Sequence, residues 1–505
     1  MSNSLELVAV YFDGQEMKIE NIHIYIFKKI NEHDRVVIKG DVKAENYDHY
    51  IEKASSETDI EIKFKDDNKG LLNFSGILNE ITDIAEGVEH NAVYHMIIKS
   101  QAYTKQMDVK QINRSFQHEC ETYDERIDSI LEKYPGADWK NEACTGEQTN
   151  DFRLQKWETD YKFILRLASL KNACVICDSR HKVPKFYFGK EEHPDKGELE
   201  KYNYKVIKDI AKYRLMTENK WHYRQWIGEL SEIDCIRYKI MLREDEEALD
   251  IGDKVVYKGM SLYVNESQTE VRDHKKYCIY YLGSKNSLKC PEFYNEKITG
   301  LSLIGQVIDV KDNHLKLWLD IDRNDGRDQP IENAKWFEYR TSYATKYCMP
   351  EINDYVNLFF PRNDEMDAIG LDSIKQNPEG GYMRNNELPE YPLGNNSQIL
   401  PFVRSAHDPD VKMITTKPGR SLAFCEDCIK IVFDDDTYVV LHDNEGIALY
   451  TKNNIRIQAD KNIQMTAKKQ IKIKAKERVL LNSGASVIDV KPKIIKVKSD
   501  DVDMN

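Results

Sequence analysis

The chain has 505 residues, 41% of them hydrophobic and 10% aromatic, enough for about three or four domains with buried cores and too apolar for a disordered polymer. Its formal net charge of -13 opposes the wrapping of nucleic acid, whose phosphates need a basic surface. No run of eighteen apolar residues occurs and the opening MSNSLELVAVYFDG lacks the parts of a signal peptide, so neither a membrane span nor general export is expected, and synthesis in a cytoplasm is.

Strand-like runs fill the first 295 residues: IHIYIF, RVVIKGDV, DIEIKF, FSGILNEI and VYHMIIKS are short, β-branched or aromatic, and bounded by polar turns. ETDYKFILRLASL departs from them. Phe163, Leu167 and Leu170 recur at helical spacing behind an acidic first turn, which predicts a helix. Two β-rich modules with helical inserts are expected, over 1–150 and 151–295.

The ten cysteines are scattered, which fits reduced thiols better than the disulfide framework of a short secreted domain. Two C-x-x-C pairs stand out, Cys174 and Cys177 in KNACVICDSR and Cys425 and Cys428 in AFCEDCIKIVF. A zinc ribbon keeps its two pairs within roughly 20 residues of each other, and these lie far beyond that. Buried thiols are expected, and no metal, cofactor or catalytic residue is assigned.

Residues 296–373 read as a small barrel of short strands: TGLSLIGQVIDV, DNHLKLWLDID, AKWFEYRTSYA, DYVNLFFP and DEMDAIGLDSI, five in all, fit an OB-type barrel. Trp318, Trp336 and Phe337 are expected in its core or at an interface, because the segment carries no basic aromatic track for an oligonucleotide. A linker is predicted over 374–410, where Pro378, Gly380, Gly381, Pro389, Pro392, Pro401 and Pro409 cluster.

From 411 to 505 a repeat can be counted. Ile431, Val439, Ile447, Ile455, Ile463, Ile471, Val479, Val487 and Ile495 stand eight residues apart without a gap. Two residues further on stand Phe433, Leu441, Leu449, Ile457, Met465, Ile473, Leu481, Asp489 and Val497. The i, i+2 pair marks a strand, and Ala459, Ala467, Ala475 and Ser483 follow at the fifth place of the middle octads. Each octad is one strand and one corner, with Ile and Leu inward and Lys, Arg, Gln, Asn or Asp in water.

Such a period fits a triangular β-helix with one octad per side. One chain supplying all three sides would have only three coils with open edges, so three intertwined chains are favoured. Asp489 breaks the inward pattern; a register slip turning Ile488 and Val490 inward, assisted by Pro492 at a corner, is set against three carboxylates round an axial ion or water. The lysines from Lys468 to Lys476 read as solvated edge charges rather than a nucleic-acid or membrane patch.

At this point several segments carry a resemblance. WETDYKFILRLAS resembles the ESD-type helix motif of VgrG proteins and phage baseplate hubs, and KVPKFYFG the strand after it. LDIGDKVVYKGMSLYVNE is similar to the closing strands of the hub's second barrel, GQVIDV with PEINDYVNLFF to the spike's OB barrel, and the octads to its triple-stranded helix. The order hub, barrel, needle makes the match. It implies a mainly β homotrimer with two hub barrels below the tail-tube protein, a collar of OB barrels, and a needle 411–505 that punctures a target membrane. It also implies baseplate neighbours, a PAAR-type cap on the tip, effector cargo, and a chain that is cytoplasmic during assembly and then ejected. The lysozyme that some members carry between barrel and needle is missing here, and no effector extension follows Asn505. A polysaccharide-degrading β-helix enzyme would nominate the Asp434–Asp436 run as paired carboxylates, and a trimeric adhesin or tail fibre would share the needle alone.

Overall fold

The computed structural model describes residues 9–64, 70–86, 93–190, 193–199, 204–218, 231–242, 247–272, 275–340, 349–374, 412–415, 420–425, 427–434 and 436–502. It divides into two compact units, Met1–Met383 and Arg384–Asn505. The linker expected over 374–410 lies outside the described residues apart from Ile374.

In the first unit the predicted runs form strands Glu20–Lys29, Arg35–Lys43, Asp59–Lys63, Phe74–Glu86 and Val93–Ala102. Alternation decides which side faces in: Val36, Ile38 and Val42 are buried while Arg35, Lys39 and Lys43 face water. Gly76 lets two of these strands pass closely, since a Cβ there would meet the Gln101 carbonyl oxygen at 2.3 Å.

The strands join one thirteen-stranded sheet rather than two separate ones. Its seam is the antiparallel pairing of Glu20–Lys29 with Met260–Arg272, from Glu266 opposite Lys29 to Val271 opposite Ile24. Met260–Arg272 also pairs with Lys254–Tyr257 through a tight turn in which Lys258 and Gly259 both have positive φ, 50° and 72°, as a type I′ hairpin requires.

A helical module crosses the boundary expected at 150. Helices Tyr123–Leu131 and Asp160–Leu170 pack with Met107, Val175, Phe186 and Phe188 into one core. Thr122 and Glu125 form a capping box on the first helix, and the Thr159 hydroxyl caps the second by accepting from the Lys162 N–H. Phe163 and Leu167 are fully buried and Leu170 half-buried.

Strands Ser302–Lys311, His314–Leu319, Trp336–Arg340, Tyr355–Phe359 and Ile369–Ile374 close into a barrel in which the third pairs with the fifth and the fifth with the fourth. Its core holds Val307, Leu315, Leu317, Phe337 and Leu358, and also Phe152 and Leu154 from the neighbouring module. Trp318 and Trp336 are half-buried; the Trp318 indole donates to the Arg327 carbonyl and Trp336 stacks under Lys316.

Candidate assembly interface

In the second unit the strands Lys412–Thr415, Ser421–Phe424, Cys428–Asp434, Thr437–His442 and Gly446–Thr451 form an antiparallel meander. Its register aligns Ile414, Leu422, Ile431, Val439 and Leu449 in one row and Phe424, Ile429, Leu441 and Ile447 in the next. Directly opposed residues share a face, so this face is a continuous aliphatic surface. It lies in water: Ile431 is 50% exposed and Ile447 76%. The other face carries the small core of Cys428, Tyr438 and Val440.

A wrapped needle was expected from the first octad, yet here the chain doubles back within itself. The corners explain it. The Asp434 carboxylate accepts the Asp436 N–H, and Gly446 takes φ 82°, so both corners reverse the chain. Between Thr451 and Val479 the corners contain neither glycine nor proline, and the backbone only bends, at 452–453, 460–461, 468–469 and 476–477. Between bends the octads have no strand partner, and Ile455, Ile463 and Ile471 are each more than half exposed.

Gly484 (φ 55°) restores the hairpin, and Val479–Ser483, Ser486–Lys491 and Ile494–Lys498 form a three-stranded meander. Val479 lies opposite Val490, which lies opposite Ile495; Leu481, Ile488 and Val497 form the adjacent row. Val487 falls on the opposite face, aligned with Asn482 and Lys498. Asp489 shares that second face, where Arg478 grips its carboxylate at 2.7 and 3.1 Å and holds it below the usual carboxylate range. Of the nine octad residues, eight therefore lie in the aliphatic rows of the two meanders or in the exposed run between them, and Val487 lies on the other face of its meander, because the Gly484 turn shifts the register by one.

About a dozen large aliphatic side chains from Ile447 to Val497 are exposed, and at roughly 100 Å² each they amount to about 1,200 Å² per copy. Monomers rarely leave more than a few hundred Å² of contiguous apolar surface uncovered, and one partner in a standard interface contributes about 800 Å². Backbone without a ladder beside unburied aliphatics makes this segment the candidate assembly interface.

The helix motif in the first unit has a different task. Trp157 occupies a bulge at φ 50°, which turns Glu158, Thr159 and Asp160 inward. Glu158 takes the Arg166 guanidinium through both oxygens, at 3.2 and 2.9 Å; Asp160 accepts from Arg114 at 2.6 Å and Tyr134 at 2.8 Å. Arg166 also reaches Glu365, and Arg153 meets Glu365 at 3.0 Å and Asp151 at 2.8 Å. Burial pushes the Glu365 carboxyl up, but Arg166 and Arg153 outweigh it and leave it below its ordinary value. Ser115 N–H and hydroxyl donate to Asp322 at 3.0 and 2.6 Å, and Gln117 donates to the Leu317 carbonyl. These bonds fasten the helical module to the barrel across some 200 residues of sequence, a pairing with no local signature beyond the motif itself.

Cys174 and Cys177 are buried thiols, both pushed up to about 12 by burial. Asp436, one of the carboxylates that an enzyme reading would nominate, pairs with Lys452 beside the hairpin turn. Among the described residues no group of three or more His, Cys, Asp and Glu is arranged to hold a metal ion, and no helix is long and apolar enough to cross a membrane.

No protein-family model matches the sequence, and no curated protein matches it significantly. Solved structures do. The E. coli c3393 protein, described as a component of the type VI secretion system with structural similarity to T4 bacteriophage tail proteins gp27 and gp5, aligns at TM-score 0.51 and 12% identity, over 72% of this chain and 99% of its own. A chain of the half-lidded Francisella PdpA–VgrG complex aligns at TM-score 0.50 and 8% identity, over 89% of this chain and 88% of its own. This chain has the mainly β fold of those secretion-system and tail-like proteins.

Proposed function

We propose that the chain is the structural spike of a contractile injection system and works as a homotrimer. The octad segment carries this reading: its extended backbone and aliphatic face are incomplete in one copy, and two further copies of the same segment supply the missing sides of a triangular needle. The fold shared with the c3393 protein, itself a secretion-system component, supports the assignment to this class of machine. Three closed barrels, read as OB-type, form a collar, and the thirteen-stranded sheets form the hub under the tube.

The mechanism needs no bond-breaking chemistry. Axial load on interlocked strands is spread over many backbone hydrogen bonds and a continuous apolar core. The buried Arg153–Glu365–Arg166 cluster joins helix motif and barrel, so thrust passes between them without a hinge. Tube protein above, baseplate proteins around, a PAAR-type cap on the tip and effector cargo are the partners this role calls for. Assembly takes place in the cytoplasm, and the target membrane is met only on ejection.

The test is the absolute mass in solution of the full-length protein and of a version ending near Val411. Three times 59.1 kDa for the first, with loss or weakening of the trimer in the second, is expected. A stable full-length monomer would refute the intertwined needle and favour a single-chain β-helix.

A further inference from the structure

The two C-x-x-C pairs are alike in sequence and opposite in geometry. Phe424 lies opposite Ile429 at the end of the hairpin ladder, and the Cys425 N–H donates to the Cys428 carbonyl at 2.8 Å, so the two cysteines are the next rung. A hydrogen-bonded antiparallel rung places its Cα atoms about 5.5 Å apart with both side chains on one face. That separation falls inside the roughly 4.4–6.8 Å range of disulfides. Both side chains belong to the same small cluster with Tyr438 and Val440. Cys174 and Cys177 lie instead along an extended run: Val175–Cys177 is a strand paired with Lys185–Phe188, and the Cys174 carbonyl continues the ladder by accepting from Gly189. Three residues of strand span about 10 Å and end on opposite faces, beyond the ~7 Å reach of a disulfide.

We propose that Cys425 and Cys428 are a dithiol–disulfide couple that closes across the hairpin at the start of the octad region, whereas Cys174 and Cys177 are not. Cys425 is the more accessible thiol. Its thiolate attacks one sulfur of a small-molecule disulfide, expels a thiolate and leaves a mixed disulfide on Cys425. Cys428, once deprotonated, attacks the Cys425 Sγ and expels the second thiolate. Each cysteine gives up one proton and one electron, and the small disulfide is reduced to two thiols. Burial and the neighbouring Cys425 push the Cys428 thiol up to about 12, which fits it to the second, intramolecular attack, where proximity offsets a low thiolate fraction.

The experiment equilibrates full-length protein with mixtures of oxidised and reduced glutathione, quenches it, alkylates it under denaturing conditions and weighs the tryptic peptides. In folded protein, peptide 421–430 is expected to lose two hydrogens and resist alkylation at ratios that leave peptide 172–180 doubly alkylated, a preference of at least about tenfold that disappears in urea. Cys428→Ser should trap a glutathione adduct on Cys425, and Cys425→Ser should leave Cys428 free. A doubly alkylated 421–430 peptide even in oxidised glutathione alone would overturn the proposal, as would equal closure of both pairs in the folded protein or a linkage of Cys425 to a different peptide.

Discussion

Replacing Ile463 by Asp probes the octad face where it has least support. Ile463 is 53% exposed in one chain, so in the proposed trimer neighbouring copies would cover roughly 100 Å² of it, worth about 2.5 kcal/mol per copy and about 7.5 kcal/mol per trimer at ~25 cal/mol/Å². The Asp substitution forfeits that burial and brings three carboxylates to one level of the axis. Each unpaired carboxylate there adds at least about 2 kcal/mol through desolvation or proton uptake. The combined loss, above about 10 kcal/mol, matches the whole stability of an ordinary domain. Sedimentation at micromolar concentration should find Ile463→Asp monomeric where the parent is trimeric. The unit comprising Met1–Met383 should melt as before, since Ile463 belongs to the other unit. Lys468→Ser, at an exposed bend, should change neither mass nor melting. A trimer of Ile463→Asp as heat-stable as the parent would refute the inward assignment.

Other substitutions separate other parts of the argument. Arg166→Met strands Glu158 in the interior and leaves Glu365 with Arg153 alone, and should lower the urea stability of the first unit by about 3–5 kcal/mol; a loss under 1 kcal/mol would show the cluster to be dispensable. Ile488→Asp should block trimer formation at the tip and Val487→Asp should not, because only Ile488 lies in the aliphatic rows; equal effects in native mass would contradict the register. Asp34 is fully buried, bonded to Ser179, and burial raises its carboxyl from 3.8 to about 7. The folded state therefore holds this proton more tightly than the unfolded chain, so its contribution is fully present below pH 3.8 and lost as pH rises to 7, on the order of 4 kcal/mol. Asp34→Asn should remove that slope. Urea midpoints of variant and parent that differ by the same amount at pH 5 and pH 8 would exclude the assignment.

Sequence and structure agree where the signal is local. The hub strands alternate, the Asp160–Leu170 helix announces itself by Phe163 and Leu167 behind an acidic first turn, and the barrel's five strands are all present as separate runs. The shared sheet was not legible, because pairing Lys29 with Glu266 leaves no periodicity in either strand. Nor was the charged cluster: Arg153 and Glu365 are 212 residues apart, and each reads alone as a surface residue. In the octads the period was visible and the path of the chain was not. An eight-residue repeat is satisfied by a hairpin as well as by a corner, and the choice rests on Gly446 and Gly484 rather than on Ile447 or Val487. The two C-x-x-C pairs illustrate the same limit, since spacing is blind to whether a turn or a strand lies between.

The unpaired run between Thr451 and Val479 bears on how the protein is made. That stretch has no ladder of its own, so if it folds only in the proposed trimer, folding and association would be one event and its melting temperature should rise with protein concentration. In the proposed trimer every layer would draw on all three chains, and a single faulty copy would spoil the layer for its two sound partners. Cells expressing parent and Ile463→Asp chains in equal amounts would retain only about one intact trimer in eight if copies mixed at random, so a lesion in the needle would act dominantly, whereas a lesion confined to one copy's hub core would remove only that copy.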